Sequence, residues 1–149
     1  MTGSEEIRKM VAELLSEQLF AVLSTQGEQL LHSALVAFAP AADMRQLVFV
    51  TPRQTRKFEN ILEHNYVSLF VDNRKNDITD LQRLIGVEAR GEAEEVDSSY
   101  HNYYKELFTA KFPQLSWFMD SPGSAIMKIN VQRYDVVHHF QNVSVLEIQ

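Results

Sequence analysis

The alternation of apolar and polar residues predicts a chain of short strands with helices inserted between them. The chain begins with an amphipathic helix, whose predicted N-cap is Ser4 and whose first turn carries two glutamates. A second, shorter helix is predicted after the third strand, with Phe58, Ile61 and Leu62 on its apolar face. A third helix is predicted at 97–112, with one of its first two residues as the cap.

Apolar runs of strand length lie between these helices. Two of them flank the turn-forming sequence QGE and therefore predict a β-hairpin. The run VEARGEAEEV, at 87–96, alternates small apolar residues with charged ones, which is typical of a strand with one solvent-exposed face. Strands are predicted at 19–25, 30–39, 47–51, 66–72, 87–96, 125–131 and 133–140, with a final apolar run at 143–148.

The predicted fold class is therefore mainly β. Short turns between most of the strands indicate antiparallel pairing, and closing the sheet into a barrel removes its exposed edges. We expect a six- to seven-stranded antiparallel barrel with added helices. A length of 149 residues suits one domain with its own core, so a single domain over 1–149 is predicted.

Composition and charge narrow the classes of function. The formal net charge is -6, which argues against broad nucleic-acid binding. The absence of cysteine excludes a disulfide framework, thiolate metal sites and a cysteine nucleophile. The first 18 residues are charged throughout and lack the apolar core of a signal peptide, and no apolar run reaches transmembrane length. We expect a cytoplasmic protein with no membrane and no nucleic-acid partner.

The turn between the third strand and the second helix has an unexpected charge pattern. Arg56 and Lys57 fall in the first helical turn, where unpaired N–H groups disfavour cations. If Thr55 lies near the N-cap, the hydroxyls of Thr51 and Thr55, the free N–H groups and both cations can converge on one phosphate. Alternatively, both cations point into water at a cost of a few tenths of a kcal/mol. The local pattern leaves these two interpretations open.

Other candidate residues carry weaker signals. His138 and His139 are neighbours in a predicted strand, where adjacent side chains point to opposite faces, so no shared metal site is expected. His32 and Ser33 point apart for the same reason and are not predicted to be a base and its nucleophile. A solvated strand face is predicted for Glu92, Glu94 and Glu95. Core or subunit contact, rather than a cofactor site, is predicted for the aromatic residues Tyr100, Tyr103, Tyr104, Phe108, Phe112, Trp117 and Phe118.

The order of these elements resembles a known group of proteins, the pyridoxamine 5′-phosphate oxidase-like superfamily of flavin-binding split barrels. The resemblance rests on FAVLSTQGE, LLHSALVAF, LVFVTPRQTRKFENILEHNYVSLFV and GVEARGEAEEV, from about Val11 to Val96, with a weaker match in AIMKINVQRYDVVHHF. Its most specific part is FVTPRQTRKFENI followed by NYVSLF. This block matches the family pattern of a strand, Thr, a short loop, Ser/Thr-Arg-Lys, a helix and a Val-Ser-Leu strand.

The resemblance implies a split barrel of the FMN-binding type, a homodimer, and one FMN in each of two clefts between subunits. It implies that Thr51, Thr55, Arg56 and Lys57 hold the phosphate, and that the strand from His32 to Leu35 runs along the isoalloxazine ring. No metal is expected. The implied cofactor-binding residues are His32, Ser33, Ala34, Leu35, Val50, Thr51, Thr55, Arg56 and Lys57.

The chain also differs from the oxidases that make pyridoxal phosphate. Those enzymes have a further C-terminal segment with Arg and His residues for the substrate phosphate, and nothing like it follows Phe140. They also place a flavin-contacting Gln on the strand that here reads LIGVEARG, where the nearest aligned residue is Gly86. The resemblance is therefore to the broad superfamily, some of whose members bind haem or deazaflavin.

Two functions are consistent with the sequence. The first is an FMN-dependent oxidoreductase or electron-transfer protein, for which no catalytic side chain is named because the flavin supplies the chemistry. The second is a non-catalytic protein that stores or senses flavin or haem, with His138 or His139 as an axial haem ligand.

Overall fold

Seven strands and five helices make up the computed structural model, which describes residues 3–139 and 142–148. The strands are β1 (Phe20–Gln26), β2 (Leu31–Pro40), β3 (Gln46–Pro52), β4 (Tyr66–Asp72), β5 (Gly86–Glu95), β6 (Ser124–His138) and β7 (Asn142–Glu147). The helices are α1 (Ser4–Glu17), α2 (Arg56–Glu63), α3 (Asp80–Arg83), α4 (His101–Lys111) and α5 (Ser116–Met119), with 3₁₀ turns at Ser98–Tyr100 and Pro113–Leu115.

All strand pairings are antiparallel, and six strands close into a barrel. The hydrogen-bonded order is β3-β2-β1-β4-β5-β6-β7, and the additional pairing of β3 with β6 closes the ring. Strand β7 lies outside the ring, against the C-terminal half of β6. The predicted fold class, a mainly β split barrel with added helices, is confirmed.

The main core fills the barrel, and α1 and α2 contribute to it. Alternating side chains of the strands point inward, as the period-two pattern requires. Helix α1 buries Ile7, Val11, Leu14 and Leu15 in this cluster. Because α2 buries Phe58 and Ile61 in the same cluster, its position relative to the barrel is held by core packing.

A second core lies on the outside of the barrel, where α4 covers the outward faces of β3 and β6. This core contains Tyr104, Phe108 and Phe112, so the prediction of core packing is confirmed for these aromatic residues. Tyr100, Tyr103 and Trp117 are exposed.

Several details differ from the sequence-based predictions. The N-cap of α1 is Gly3 rather than Ser4, and Leu62 is exposed because α2 buries only Phe58 and Ile61. The two strands predicted at 125–131 and 133–140 form one strand, β6. A bulge accommodates the extra residue of β6, because Arg90 pairs with Arg133 while Gly91 pairs with Val131. Phe140, the predicted end of that strand, lies outside the described residues.

Among the described residues, none of the helices has the length and apolar character needed to cross a bilayer.

Candidate functional site

The turn from β3 to α2 is organised by two threonine hydroxyls. Thr51 is fully buried at the end of β3, and Thr55 is the N-cap of α2. Their Oγ1 atoms lie 3.0 Å apart, and Pro52 O lies 3.1 Å from Thr51 Oγ1 and 3.0 Å from Thr55 Oγ1. Thr55 Oγ1 also accepts a hydrogen bond from the Phe58 amide at 3.3 Å. Threonine caps helices in this way because its side-chain oxygen satisfies an N–H group that has no helical carbonyl.

Two further N–H groups remain open at this helix start. The amides of Arg56 and Lys57 are in the first turn, where an α-helix offers them no carbonyl. Within the described residues, neither amide has an acceptor. The start of α2 therefore presents free donors and the positive end of the helix dipole.

The three cations of this turn have different surroundings. Arg53 Nη1 and Nη2 donate to the Glu95 carboxylate at 2.7 and 2.6 Å, and the Glu95 contact raises the pKa of Arg53. By contrast, no ion pair or side-chain hydrogen bond of Arg56 or Lys57 is found within residues 3–139 and 142–148. Lys57 is half-buried, and burial lowers its pKa. Arg53 is thus structural, while Arg56 and Lys57 are available to a ligand.

Strands β2 and β3 diverge beside these cations. They pair only at Phe38↔Phe49, Ala39↔Val48 and Pro40↔Leu47, although β2 continues back to Leu31 and β3 continues to Pro52. The predicted site segments His32–Leu35 and Val50–Lys57 therefore lie on the two sides of this gap.

Main-chain groups of β2 face the gap. Phe38 N donates to Leu19 O and Gly27 N to Leu30 O across the β1–β2 pair, so the even-numbered residues of β2 point their main-chain groups toward β1. Because these directions alternate along a strand, the N–H and C=O groups of Ser33 and Leu35 point the other way, toward the side where β3 has separated.

A groove of about 480 Å³ lies at the open end of the same region. It brings together His32 from β2 and Arg56 from α2, two residues that the sequence predicted to share a site. The groove lies between the β1–β2 turn and α2. Its lining consists of Gly27, Glu28, Gln29, Leu30, Leu31, His32, Arg56, Glu59 and Asn60.

The remaining predicted site residues occupy several environments. Ala34 is half-buried on the inward side of β2, whereas Ser33 and Leu35 are exposed on its outward side. The Val50 side chain packs against the second core, on the opposite face of β3 from Thr51. Val50 can therefore contribute to the gap through its main chain, and its side chain has a structural role.

Seven lining residues of the groove were not among the sequence candidates: Gly27, Glu28, Gln29, Leu30, Leu31, Glu59 and Asn60. Asn60 Nδ2 donates to Thr25 Oγ1 at 3.0 Å, which ties α2 to β1. A side chain on Gly27 would put its Cβ 3.2 Å from Asn60 Oδ1, so the turn and the helix are in close contact. The only signal for this pairing is a Gly in the turn and an amide on α2, which sequence spacing alone does not connect.

The expectation that His138 and His139 point apart is wrong. Strand β6 ends at His138, and His139 has a positive φ of 47°, so the two side chains are not on opposite faces of a strand. Their Nδ1 atoms lie 3.2 Å apart, and His138 Nε2 lies 3.1 Å from Ser144 Oγ. Within the described residues, no group of three or more potential metal ligands is found.

Comparison with known proteins agrees with this architecture. The family model described as pyridoxamine 5'-phosphate oxidase matches residues 7–138. The chain belongs to the pyridoxamine 5'-phosphate oxidase-like superfamily. This match includes β1 to β6, α2 and the gap between β2 and β3. No curated protein sequence matches the chain significantly.

Solved structures of this superfamily architecture share the fold at low sequence identity. A heme binding protein from Mycobacterium smegmatis has a TM-score of 0.82 and 13% identity, and the match covers 99% of this chain but only 59% of that protein. General Stress Protein 26 from Bacillus anthracis has a TM-score of 0.73 and 19% identity, with 95% and 98% coverage. An FAD-binding protein from Mesorhizobium loti has a TM-score of 0.66 and 12% identity, with 83% and 88% coverage. These similarities establish the fold.

Proposed function

We propose that the chain binds FMN where β2 and β3 diverge, and that the bound flavin makes it an oxidoreductase or electron-transfer protein. The observation that carries this proposal is the position of Arg56 and Lys57. Both cations lie without a protein partner, among the described residues, at a capped helix start beside the gap. A phosphate would receive charge-assisted hydrogen bonds from these side chains and further hydrogen bonds from the free amides of α2.

The same arrangement explains how the chain tolerates a half-buried ammonium group. Burial penalises the charged form of Lys57 and lowers its pKa. A bound phosphate next to Lys57 would favour the charged form again. The hydrogen-bonded hydroxyl pair of Thr51 and Thr55 holds the turn in the conformation that presents these groups.

The flavin ring would lie along β2. The main-chain groups of Ser33 and Leu35 face the gap, where they can donate to and accept from the polar edge of an isoalloxazine ring. Bound FMN would supply the electron-transfer chemistry, while the chain binds and orients it and restricts water around it. Two structures of the same fold are named for heme and for FAD, which supports a cofactor-binding role but not one particular cofactor.

The proposal does not include oxidation of pyridoxamine phosphate. Gly86 occupies the position nearest to the flavin-contacting Gln of those oxidases. A Cβ on Gly86 would come within 3.0 Å of the Phe70 ring, so a Gln there requires Phe70 to move.

We also propose that the protein is a homodimer through the outward face of β1, β2 and β4. In the sheet register, Leu35 lies opposite Val22, which lies opposite Phe70, so these side chains form one continuous row. Leu35 is 75% exposed and Phe70 is 40% exposed. Phe20 adds a further exposed aromatic ring on the same face of β1. A second copy would cover this row and complete a cleft beside the β2–β3 gap.

A second candidate function is haem binding without catalysis. It is favoured by the heme binding protein from Mycobacterium smegmatis and by the exposed ring of His139. His138 is a poorer axial ligand because it is buried and both of its ring nitrogens have partners.

Spectroscopy and titration test these proposals. The purified chain, supplied with FMN or haem, should develop paired flavin bands rather than a single Soret band. FMN should bind at least about a hundredfold more tightly than riboflavin, because only FMN offers a phosphate to two charge-assisted contacts. Equal affinity for the two flavins would contradict the phosphate site.

A turnover assay distinguishes an enzyme from a binding protein. If the chain is an oxidoreductase, the FMN-loaded protein should oxidise a reduced nicotinamide.

A further inference from the structure

We infer that Glu28 and Glu59 make the groove select a flavin with a single phosphate over a dinucleotide whose pyrophosphate carries a second one. This inference rests on the proposed function, because it assumes that the first phosphate lies at Arg56 and Lys57. It gives Glu28 and Glu59 a role in cofactor specificity, although neither residue contacts the flavin ring or the first phosphate in the proposed function.

The charges that line the groove oppose a second anion. The lining contains one cation, Arg56, and two carboxylates, Glu28 and Glu59, so its formal charge is 1 − 2 = −1 with His32 neutral. The first phosphate would use Arg56. A second phosphate extending along the groove would then face two carboxylates and no other lysine or arginine of the lining.

Neither carboxylate is neutralised by the protein. In the part of the chain that the structure describes, Glu28 and Glu59 form no ion pair within 4.0 Å. Both are exposed, so their charges act on a ligand through solvent as well as directly. Like charges at such a surface repel, and the repulsion weakens as salt is added.

The two walls of the groove are tied together, so the main-chain segments that carry the two carboxylates are held in place. Glu28 lies in the turn that is closed by the Gly27 N to Leu30 O hydrogen bond of 2.8 Å. Glu59 lies on α2, one residue before Asn60, whose side chain donates to Thr25 on β1. The distance between the walls is therefore set by contacts that an entering ligand would have to break.

The test compares FMN with FAD on the full chain. Dissociation constants are measured for the wild type, for the Glu28→Gln/Glu59→Gln double variant, and for Glu63→Gln as a matched control. Glu63 is exposed on the same helix but does not line the groove. The wild type should bind FMN more tightly than FAD. The double variant should reduce this preference at least about fivefold, chiefly through tighter FAD binding, and Glu63→Gln should not.

A salt titration of the wild type and of the double variant provides a second measurement. Raising ionic strength should reduce the FMN preference more in the wild type than in the double variant, because only the wild type has the repulsion from Glu28 and Glu59 that salt screens. Equal wild-type affinity for FMN and FAD would overturn the inference, as would a preference that the double substitution leaves unchanged. If FMN and riboflavin bind equally well, or if no flavin binds, the proposed function fails first and the inference fails with it. A strong FMN preference over riboflavin with an unchanged FMN to FAD ratio refutes the inference alone.

Discussion

At Arg56 and Lys57, the placement of charge opposes the local electrostatics of a helix start, and neither cation forms an ion pair within the described residues. Arg53, three residues earlier, shows the ordinary solution, because Glu95 neutralises it through two short hydrogen bonds. The contrast separates a structural cation from two that are available to a ligand. It also supplies a matched control for mutagenesis.

Replacing both Arg56 and Lys57 with Ala should weaken FMN binding at least about a hundredfold, since two charge-assisted hydrogen bonds of about 1.5–3 kcal/mol each are removed. Riboflavin affinity should hardly change. The apo protein should keep its stability or gain a few tenths of a kcal/mol, because two cations that oppose the helix dipole are removed. Flavin titrations and urea unfolding curves measure these three quantities.

Arg53→Ala is the control for that pair. It should leave the FMN dissociation constant within about threefold of wild type, and it should cost about 0–1 kcal/mol of stability through the lost surface pair with Glu95. A fall in FMN affinity that is as large for Arg53→Ala as for the double variant would contradict the assignment of roles.

A second residue-level prediction concerns pH. His138 is 1% exposed, and its burial and the neighbouring His139 lower its pKa. In the unfolded chain, His138 has the ordinary histidine pKa of about 6.5, so it binds a proton at a higher pH than it does in the folded chain. The stability of the folded chain therefore falls as the pH drops from about 6.5 through the lower pKa of the folded state. The free energy of unfolding should therefore decrease between pH 7.5 and 5, and His138→Gln should reduce that decrease. Asn142→Gln, at the residue that pairs with His138 between β6 and β7, should retain it. Identical pH dependence in all three proteins would refute the role of His138.

At the scale of elements, the site depends on the separation of β2 from β3 and on the continued pairing of β5 with β6 around a bulge. Strands β2 and β3 pair over only three residues before they diverge. Strands β5 and β6 remain paired around a bulge beside Gly91. Strand β6 also pairs with β3 and so closes the barrel. The close approach of β5 and β6 at Gly91 therefore helps to keep the barrel closed, although β2 and β3 separate.

Gly91→Ala should destabilise the barrel by about 2–3 kcal/mol, as overpacking against an immobile main chain does. An added Cβ would lie 2.1 Å from Asn130 O, a distance that only a main-chain shift can relieve. Gly123→Ala is the control, because the nearest atom to its Cβ is Ser121 Oγ at 3.9 Å, and it should cost less than about 0.5 kcal/mol. Thermal and denaturant unfolding of both variants measure the difference, and equal stability would show that the strands separate easily at the bulge.

At the scale of the whole molecule, the barrel is covered unevenly. Helix α4 packs over β3 and β6 and forms the second core there. The outward faces of β1, β2 and β4 carry exposed apolar side chains instead, including Phe20, Leu35 and Phe70. An apolar face of this kind is typical of a subunit interface.

Phe70→Glu should therefore convert the proposed homodimer into a monomer, because it places a carboxylate at the centre of the apolar row. Trp117→Glu, at an exposed residue of α5 beside the second core, should leave the dimer intact. Sedimentation velocity at micromolar concentration distinguishes the two, and a stable pair is expected to bury more than about 1,000 Å². A wild-type monomer that still holds FMN would contradict both the dimer and its part in the site.

The sequence by itself was sufficient for the antiparallel barrel and for the charged helix start. Period-two alternation and short turns specify which residues of a strand face the core, and they do so locally. The capping role of Thr55 and the position of Arg56 and Lys57 are local for the same reason, since a helix start needs only a few consecutive residues. Binding of FMN, the dimer and the roles of the other candidate residues stay predictions.

Only the tertiary structure decided which of the local signals act together. The distinction between Arg53 and its neighbours depends on Glu95, which is 42 residues away in the chain. The groove depends on the approach of Glu59 and Asn60 to the turn that contains Glu28. Contacts of this kind depend on how barrel closure positions distant segments, and a pattern read along a single chain does not contain that information.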